Sequence, residues 1–109
     1  MTVIDAHPTA AQDHFDAVRT VVVLKAVADP TRLRLLWALQ RGEQSVGRLS
    51  ELVGAHYAAV SQHLARLRAA GLVTSRRDGT RMYYRTADEQ VPSLLEEAAL
   101  VGRRDARPQ

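Results

Sequence analysis

The stretch from Val46 to Arg85 constrains this chain most, because two short helices and a basic hairpin follow one another there almost without linker. Residues 45–54, SVGRLSELVG, read as one helix closed by a glycine. Residues 57–70, YAAVSQHLARLRAA, read as a second helix, closed by Gly71. Residues 72–85, LVTSRRDGTRMYYR, then read as a hairpin turning at Asp78-Gly79, a strong two-residue turn signal. Two short helices joined by a tight turn make a helix-turn-helix, whose second helix can enter the major groove of duplex DNA. A basic hairpin directly behind it is a wing.

Charge supports that partner. The net charge of +3 is small, but residues 55–86 hold six arginines against Asp78 alone, a local +5, and the remainder nets −2. Positive charge is concentrated where phosphate attraction would use it. At 109 residues the chain is read as one domain. It has no cysteine, which excludes a disulfide framework, thiolate metal ligands and a cysteine nucleophile, and fits a reducing compartment. Asp5, Asp13 and Asp16 stand where a signal peptide needs a basic end and an apolar run, and Val21 to Leu24 is the densest apolar stretch. The chain therefore reads as soluble and cytoplasmic, with no membrane partner.

The expected organisation is a flexible arm over 1–8, a DNA-binding and dimerisation domain over 9–102, and a disordered tail over 103–109. The fold is expected to be mainly α with a β-hairpin wing, a five-helix winged helix-turn-helix. Helix one should run from about Thr9 to Ala28, apolar on all sides around 21–24, so that one face packs inward and another on a second subunit. Asp29-Pro30 is a restart signal, an N-cap followed by proline at the first helical position. Helix two should place Leu33, Leu36 and Leu39 inward and Arg32, Arg34 and Arg41 in water. Helix three should point Leu49 and Leu52 inward.

In the recognition helix Val60, Leu64 and Leu67 form the core stripe, which leaves Ala58, Ser61, Gln62 and Ala65 on a shared outer face. Small residues there allow close approach, and Gln62 can read a base edge, as glutamine commonly does with adenine. His63 lies beside the stripe and reads as a packed histidine. In the hairpin, counting back from Asp78-Gly79 pairs Arg77 with Thr80, Arg76 with Arg81 and Thr74 with Tyr83. Two arginines directly opposite each other repel. A polyanion along that face would remove the penalty. Val73, Met82 and Tyr84 take the other face. A last helix carries Val91, Leu94, Leu95, Ala98 and Val101, and with helix one it makes a natural dimer surface.

The sequence resembles the ArsR/SmtB family of winged-helix bacterial repressors. Residues 24–36, LKAVADPTRLRLL, are similar to the family's approach to its second helix; 60–73, VSQHLARLRAAGLV, to its recognition helix and first wing strand; and 76–85, RRDGTRMYYR, to its wing. The resemblance runs over roughly 15–101 in one register. It implies a homodimer built on the first and last helices and bound to an inverted repeat. It also implies base reading by Tyr57, Ala58, Ser61 and Gln62. With His56 before them, Arg66 behind them and Arg76, Arg77 and Arg81 on the wing, these form the candidate DNA-binding set. His56 replaces the serine usual in the family, so the cap of the recognition helix should be weaker.

Many members of that family sense metals, and here the resemblance breaks. Ser45 and Gly47 stand at the cysteine positions of one standard site, and Asp88 is followed by Gln90, Val101 and Arg104 at the histidine positions of the other. A non-standard site would draw on His7, His14 and Asp88, with Asp5, Asp13, Glu96 and Glu97 nearby, and its nitrogen and oxygen donors would suit Ni2+ or Zn2+. The alternatives are control by a non-metal signal or by a co-regulator protein. A winged-helix protein-interaction module without DNA is a further class, against which the split charge argues. An enzyme is the weakest reading, because no nucleophile has an adjacent base and no loop cradles phosphate.

Overall fold

In a computed structural model the described residues are 15–105, and they form five helices and three strands. In chain order these are α1 (Ala17–Val27), α2 (Pro30–Leu39), β1 (Gln44–Ser45), α3 (Val46–Val53), α4 (Tyr57–Ala69), β2 (Val73–Asp78), β3 (Arg81–Thr86) and α5 (Gln90–Asp105). The helix-turn-helix is the α3–α4 pair, and the antiparallel sheet runs β1-β3-β2. The result is a winged helix-turn-helix, as the sequence predicts.

Local chemistry sets the boundaries. Asp16, Asp29 and Ser45 cap α1, α2 and α3, each accepting from the backbone N–H three residues on, at 3.1, 3.0 and 3.1 Å. Such caps satisfy donors that a helix start leaves orphaned. Glycine ends α3: Gly54 takes φ 68°, a left-handed conformation open to a residue without Cβ. Among the described residues the first helix begins at Ala17; the expected run through Phe15 is interrupted there, because Asp16 adopts extended backbone and caps the helix. The expected arm over 1–8 and the residues up to 14 lie outside the described region. At the other end α5 continues past the expected limit of 102 to Asp105; Arg103 and Arg104 sit at its C-terminus, where the helix dipole favours cations.

The core is built from Leu35, Leu36 and Leu39 of α2, Val46 and Leu49 of α3, and Val60, Leu64 and Leu67 of α4, closed by Leu72, Val73, Tyr84, Val91 and Leu95. The recognition-helix stripe is as expected. On α2 the inward face is turned from the predicted one: Leu35 is fully buried, Leu33 is 40 % exposed and Arg32 is only 8 % exposed. The stripe i, i+3, i+4, i+7 from Arg32 fits the helical period as well as the one from Leu33, and the hydrogen bonds that Arg32 finds inside decide between them. Leu52, expected inward, is 42 % exposed; it lines an open groove of about 740 Å³ with Leu33, Trp37 and Leu95.

The hairpin register also differs. Asp78 pairs with Arg81, Arg77 with Met82, Arg76 with Tyr83 and Thr74 with Arg85, so Gly79 and Thr80 are the two turn residues. Gly79 has φ 64°, as the first central position of a tight hairpin turn requires. The observed register sets Asp78 opposite Arg81 and lays Arg76 over the Tyr83 ring at 4.6 Å, removing the arginine–arginine repulsion of the predicted one. Each residue's partner moves by two, so faces are preserved: Val73 and Tyr84 are buried and Met82 half-buried. Strand β1, unforeseen, pairs Gln44 with Tyr84 and Ser45 with Tyr83.

Because Leu64 is fully buried at the centre of this core, Leu64→Ala is expected to destabilise the fold by about 2–5 kcal/mol in urea unfolding. A loss below about 1 kcal/mol, the range of ordinary surface changes, would show that α4 is not anchored there.

Candidate nucleic-acid interface

Helix α4 is divided lengthwise. Val60, Leu64 and Leu67 are fully buried, whereas Tyr57, Ala58, Gln62, Ala65 and Arg66 are exposed and Ser61 is half-buried. Ala58, Ser61, Gln62 and Ala65 thus share one solvent-facing surface, where a single amide is flanked by small side chains. His56 stands at the N-cap with extended backbone and makes no side-chain cap hydrogen bond, matching the weaker cap expected of it. The helix start consequently keeps unsatisfied N–H groups that a phosphate could accept from.

The wing stands next to this helix. Tyr57 at the start of α4, Arg48 and Glu51 of α3, and Thr80, Arg81 and Met82 of the wing line one open groove. The structure therefore brings Tyr57 and Arg81 together, with Arg48 as a neighbour not singled out in the sequence. Arg48 is held to Glu51 at 3.1 Å, both exposed. Strand alternation puts Arg76, Arg81 and Arg85 on one face of the hairpin and Arg77 on the other. Arg85 donates to Thr74 Oγ1 at 3.4 Å.

The wing arginines are not equivalent. Arg76 makes a bidentate pair with Glu43, its Nε and Nη2 donating at 2.9 and 2.7 Å, and Asp78 lies 4.0 Å away. The hydrogen bond from Arg76 holds the Glu43 carboxyl below the usual carboxylate range and raises the Arg76 guanidinium in turn. Glu43, just ahead of β1, thus shields the arginine that the sequence ranked with Arg81. Its role was not legible because the two residues are thirty-three positions apart.

Of the metal candidates His7, His14 and Asp88, only Asp88 falls within the described residues. Asp88 uses its Oδ1 to accept from the N–H of Gln90 at 3.0 Å, capping the start of α5. Ser45 spends its hydroxyl on the cap of α3. Among the described residues no three His, Asp or Glu side chains come close enough to hold an ion. The residues present at the standard family positions do not fit a metal.

An exposed amide-bearing helix face beside an arginine wing defines a DNA-binding winged helix-turn-helix. Comparison with known proteins gives the family. Residues 29–75 match the model of the bacterial regulatory proteins of the arsR family. Over 95 residues the chain is 46 % identical to the HTH-type transcriptional regulator KmtR of Mycobacterium tuberculosis, covering 86 % of this chain and 72 % of KmtR. The crystal structure of NolR from Sinorhizobium fredii is 36 % identical, with a TM-score of 0.72 over 87 % of this chain and 95 % of NolR. The homodimeric winged helix-turn-helix domain Mb0332 of Mycobacterium bovis, a possible ArsR-family regulator, is 35 % identical with a TM-score of 0.74, covering 81 % of this chain and 82 % of that one. This chain belongs to the ArsR family, and it is a DNA-binding transcriptional regulator rather than an enzyme. Among the described residues no helix is long and apolar enough to cross a membrane.

The Glu43 pair generates a test. Glu43→Gln removes the competitor for Arg76, so binding to any duplex should tighten and the slope of log affinity against log salt should steepen by up to about one. Arg81→Ala should weaken binding more than Arg76→Ala. Filter binding on a random-sequence duplex across a salt series measures both; an unchanged slope in Glu43→Gln would show that Arg76 meets no phosphate.

Proposed function

We propose that the chain acts as a homodimer on an inverted-repeat operator, each protomer placing α4 in the major groove and its wing against the backbone. The observation that carries this reading is the outer face of α4, where Ser61 and Gln62 stand between Ala58 and Ala65 with Tyr57 and Arg66 at its edges. On this reading Ser61 and Gln62 read bases, His56 and Tyr57 meet the sugar-phosphate edge, and Arg77 and Arg81 contact phosphate.

Apolar exposure supports the dimer. Phe15, Val18, Val21, Val22 and Leu24 at α1 and Leu100 and Val101 of α5 are all large apolar side chains open to solvent. So many large apolar side chains left open on two helices are what a contact site offers. A second copy would cover it, setting the two α4 helices about one DNA turn apart, roughly 34 Å. The Mycobacterium bovis domain, described as homodimeric, supports the same assembly. Sedimentation at micromolar concentration should give a dimer, and a well-folded monomer would overturn this part.

For base reading, Gln62→Ala should cost about 1–3 kcal/mol on the operator and little on random duplex. Equal losses on both would remove Gln62 from the base-reading role.

Control of binding has two readings, and calorimetry separates them. A divalent ion such as Ni2+ or Zn2+ would be held by His7 and His14 with a carboxylate; the other reading is a non-metal signal or a co-regulator protein. Gln90, Val101 and Arg104 at the histidine positions that accompany Asp88 favour the second, since none of them supplies an imidazole ligand. Titrating the dimer with Ni2+ and Zn2+ should then give no heat in the wild type. Heat that disappears in the His7→Ala, His14→Ala variant would establish the metal reading instead.

A further inference from the structure

Arg32 is the one charged residue that is buried among the described residues, and its bonds tie three helices together. Its backbone N–H donates to Asp29 Oδ2 at 3.0 Å within the α2 cap. Its Nε donates to the carbonyl of Ala26, and Nη2 reaches that of Lys25, both in the last turn of α1. Its Nη1 lies 3.1 Å from Nδ1 of His63 on α4. His63 follows Gln62 directly in the chain, and its ring is turned to the α1–α2 side.

A guanidinium has donors only, so the 3.1 Å contact is a hydrogen bond only if Nδ1 offers a lone pair. That requires the neutral ring carrying its proton on Nε2. Protonation sets a donor against a donor and a positive charge beside Arg32. It also supplies the ring with another partner, since Asp29 Oδ2 stands 3.9 Å from the same nitrogen. The ring would then leave Arg32 for Asp29. Arg32 would keep the α1 carbonyls and release α4.

We propose that Arg32 and neutral His63 are positioning residues for DNA reading, fixing the recognition helix to α1, and that protonation of His63 undoes this and lowers operator preference. The inference rests on the DNA-reading role of α4 argued above. Helix α1 carries the proposed dimer surface, so its link to α4 decides how the two recognition helices of a dimer are spaced. The sign is opposite to simple electrostatics, in which an added positive charge would tighten binding to a polyanion.

The groups around His63 confine the effect to its own proton. From α2 they are Arg32 and Asp29; from α1 only main-chain carbonyls take part, through Arg32. Among the described residues, no charged group of α3 or the hairpin bonds the ring; Arg48 and Glu51 pair with each other, as do Arg76 and Glu43. Asp29 and Glu43 both lie below the usual carboxylate range, chiefly through hydrogen bonds from Arg32 N–H and the Arg76 side chain, so neither titrates between pH 5.5 and 7.5, roughly the histidine range.

The test uses the full-length protein, an operator duplex selected from a randomised pool at about pH 7.5, and a scrambled duplex, with affinities from fluorescence anisotropy. The ratio of operator to scrambled affinity should fall about tenfold towards pH 5.5 in the wild type, within the range of ordinary site-to-site couplings. It should stay flat in His63→Asn, whose amide oxygen sits where Nδ1 was and can accept from Arg32 at every pH. Arg32→Lys, which cannot reach both α1 and the ring, should show the lower ratio throughout. The same pH slope in wild type and His63→Asn would overturn the proposal. Proton NMR of the wild-type His63 ring gives a second readout that needs no variant: by linkage its titration midpoint should be lower in the operator complex than in the scrambled complex, and equal or reversed midpoints would overturn the proposal. Failure to select any preferred duplex would instead remove the DNA-reading role, so the two failures are distinguishable.

Discussion

Burying one side of α4 is the constraint on which the rest of this molecule depends. Val60, Leu64 and Leu67 fall at i, i+4 and i+7, and all three are lost to solvent among Leu35, Leu36, Leu39 and Leu49. A helix turns every 3.6 residues, so fixing that stripe leaves positions 58, 61, 62 and 65 no choice but to face out. The reading surface is thus held at the precision of the core rather than of a loop. A close-packed interior admits few alternative rotations, and a base-edge hydrogen bond tolerates few.

Arg32 does for α1 what the leucines do for α4. No residue of α1 is fully buried, and Val23, Ala26 and Val27 only lean on the core. Such a helix needs a second attachment, and the guanidinium supplies it at the end where the last carbonyls have no i+4 partner within the helix and the helix dipole is negative. A buried charge without partners would be costly, so the carbonyls of α1 and the ring of His63 stabilise Arg32 as much as it stabilises them. Asp29 serves twice, capping α2 and standing beside the same ring.

What was legible in the sequence was whatever depends on neighbours along the chain. The caps at Asp29 and Ser45, the turn glycines, the stripe of α4 and the order helix, helix, hairpin all follow from spacing of a few residues. What was not legible depends on partners far away. The face of α2 was misassigned because Arg32 counts as polar by type, and only Ala26 and His63 make its burial favourable. The hairpin slipped because Asp78-Gly79 fits a two-residue turn in either of two placements, and cross-strand pairs decide between them. Neither error moves the candidate DNA residues to another face: α4 was fixed by its stripe, and a slip of two leaves every strand residue on its own face.

Glu43, whose partner spacing could not reveal, changes how the charge of the wing should be understood. Counting arginines treats them as equal, yet Arg76 already has a carboxylate in the geometry a phosphate would use. An exposed ion pair is worth little, because water competes for both partners and salt screens them. A phosphate can therefore displace Glu43 at small cost, and the carboxylate then repels the backbone it faces. On the proposed reading, the pair would lower affinity for every duplex alike without touching the bases assigned to Gln62. For a regulator that must leave random DNA in order to find its operator, subtracting from the sequence-independent term while sparing the sequence-dependent one raises specificity. In this architecture the recognition helix sets what is read, and an acidic residue outside it moderates how strongly everything else is held.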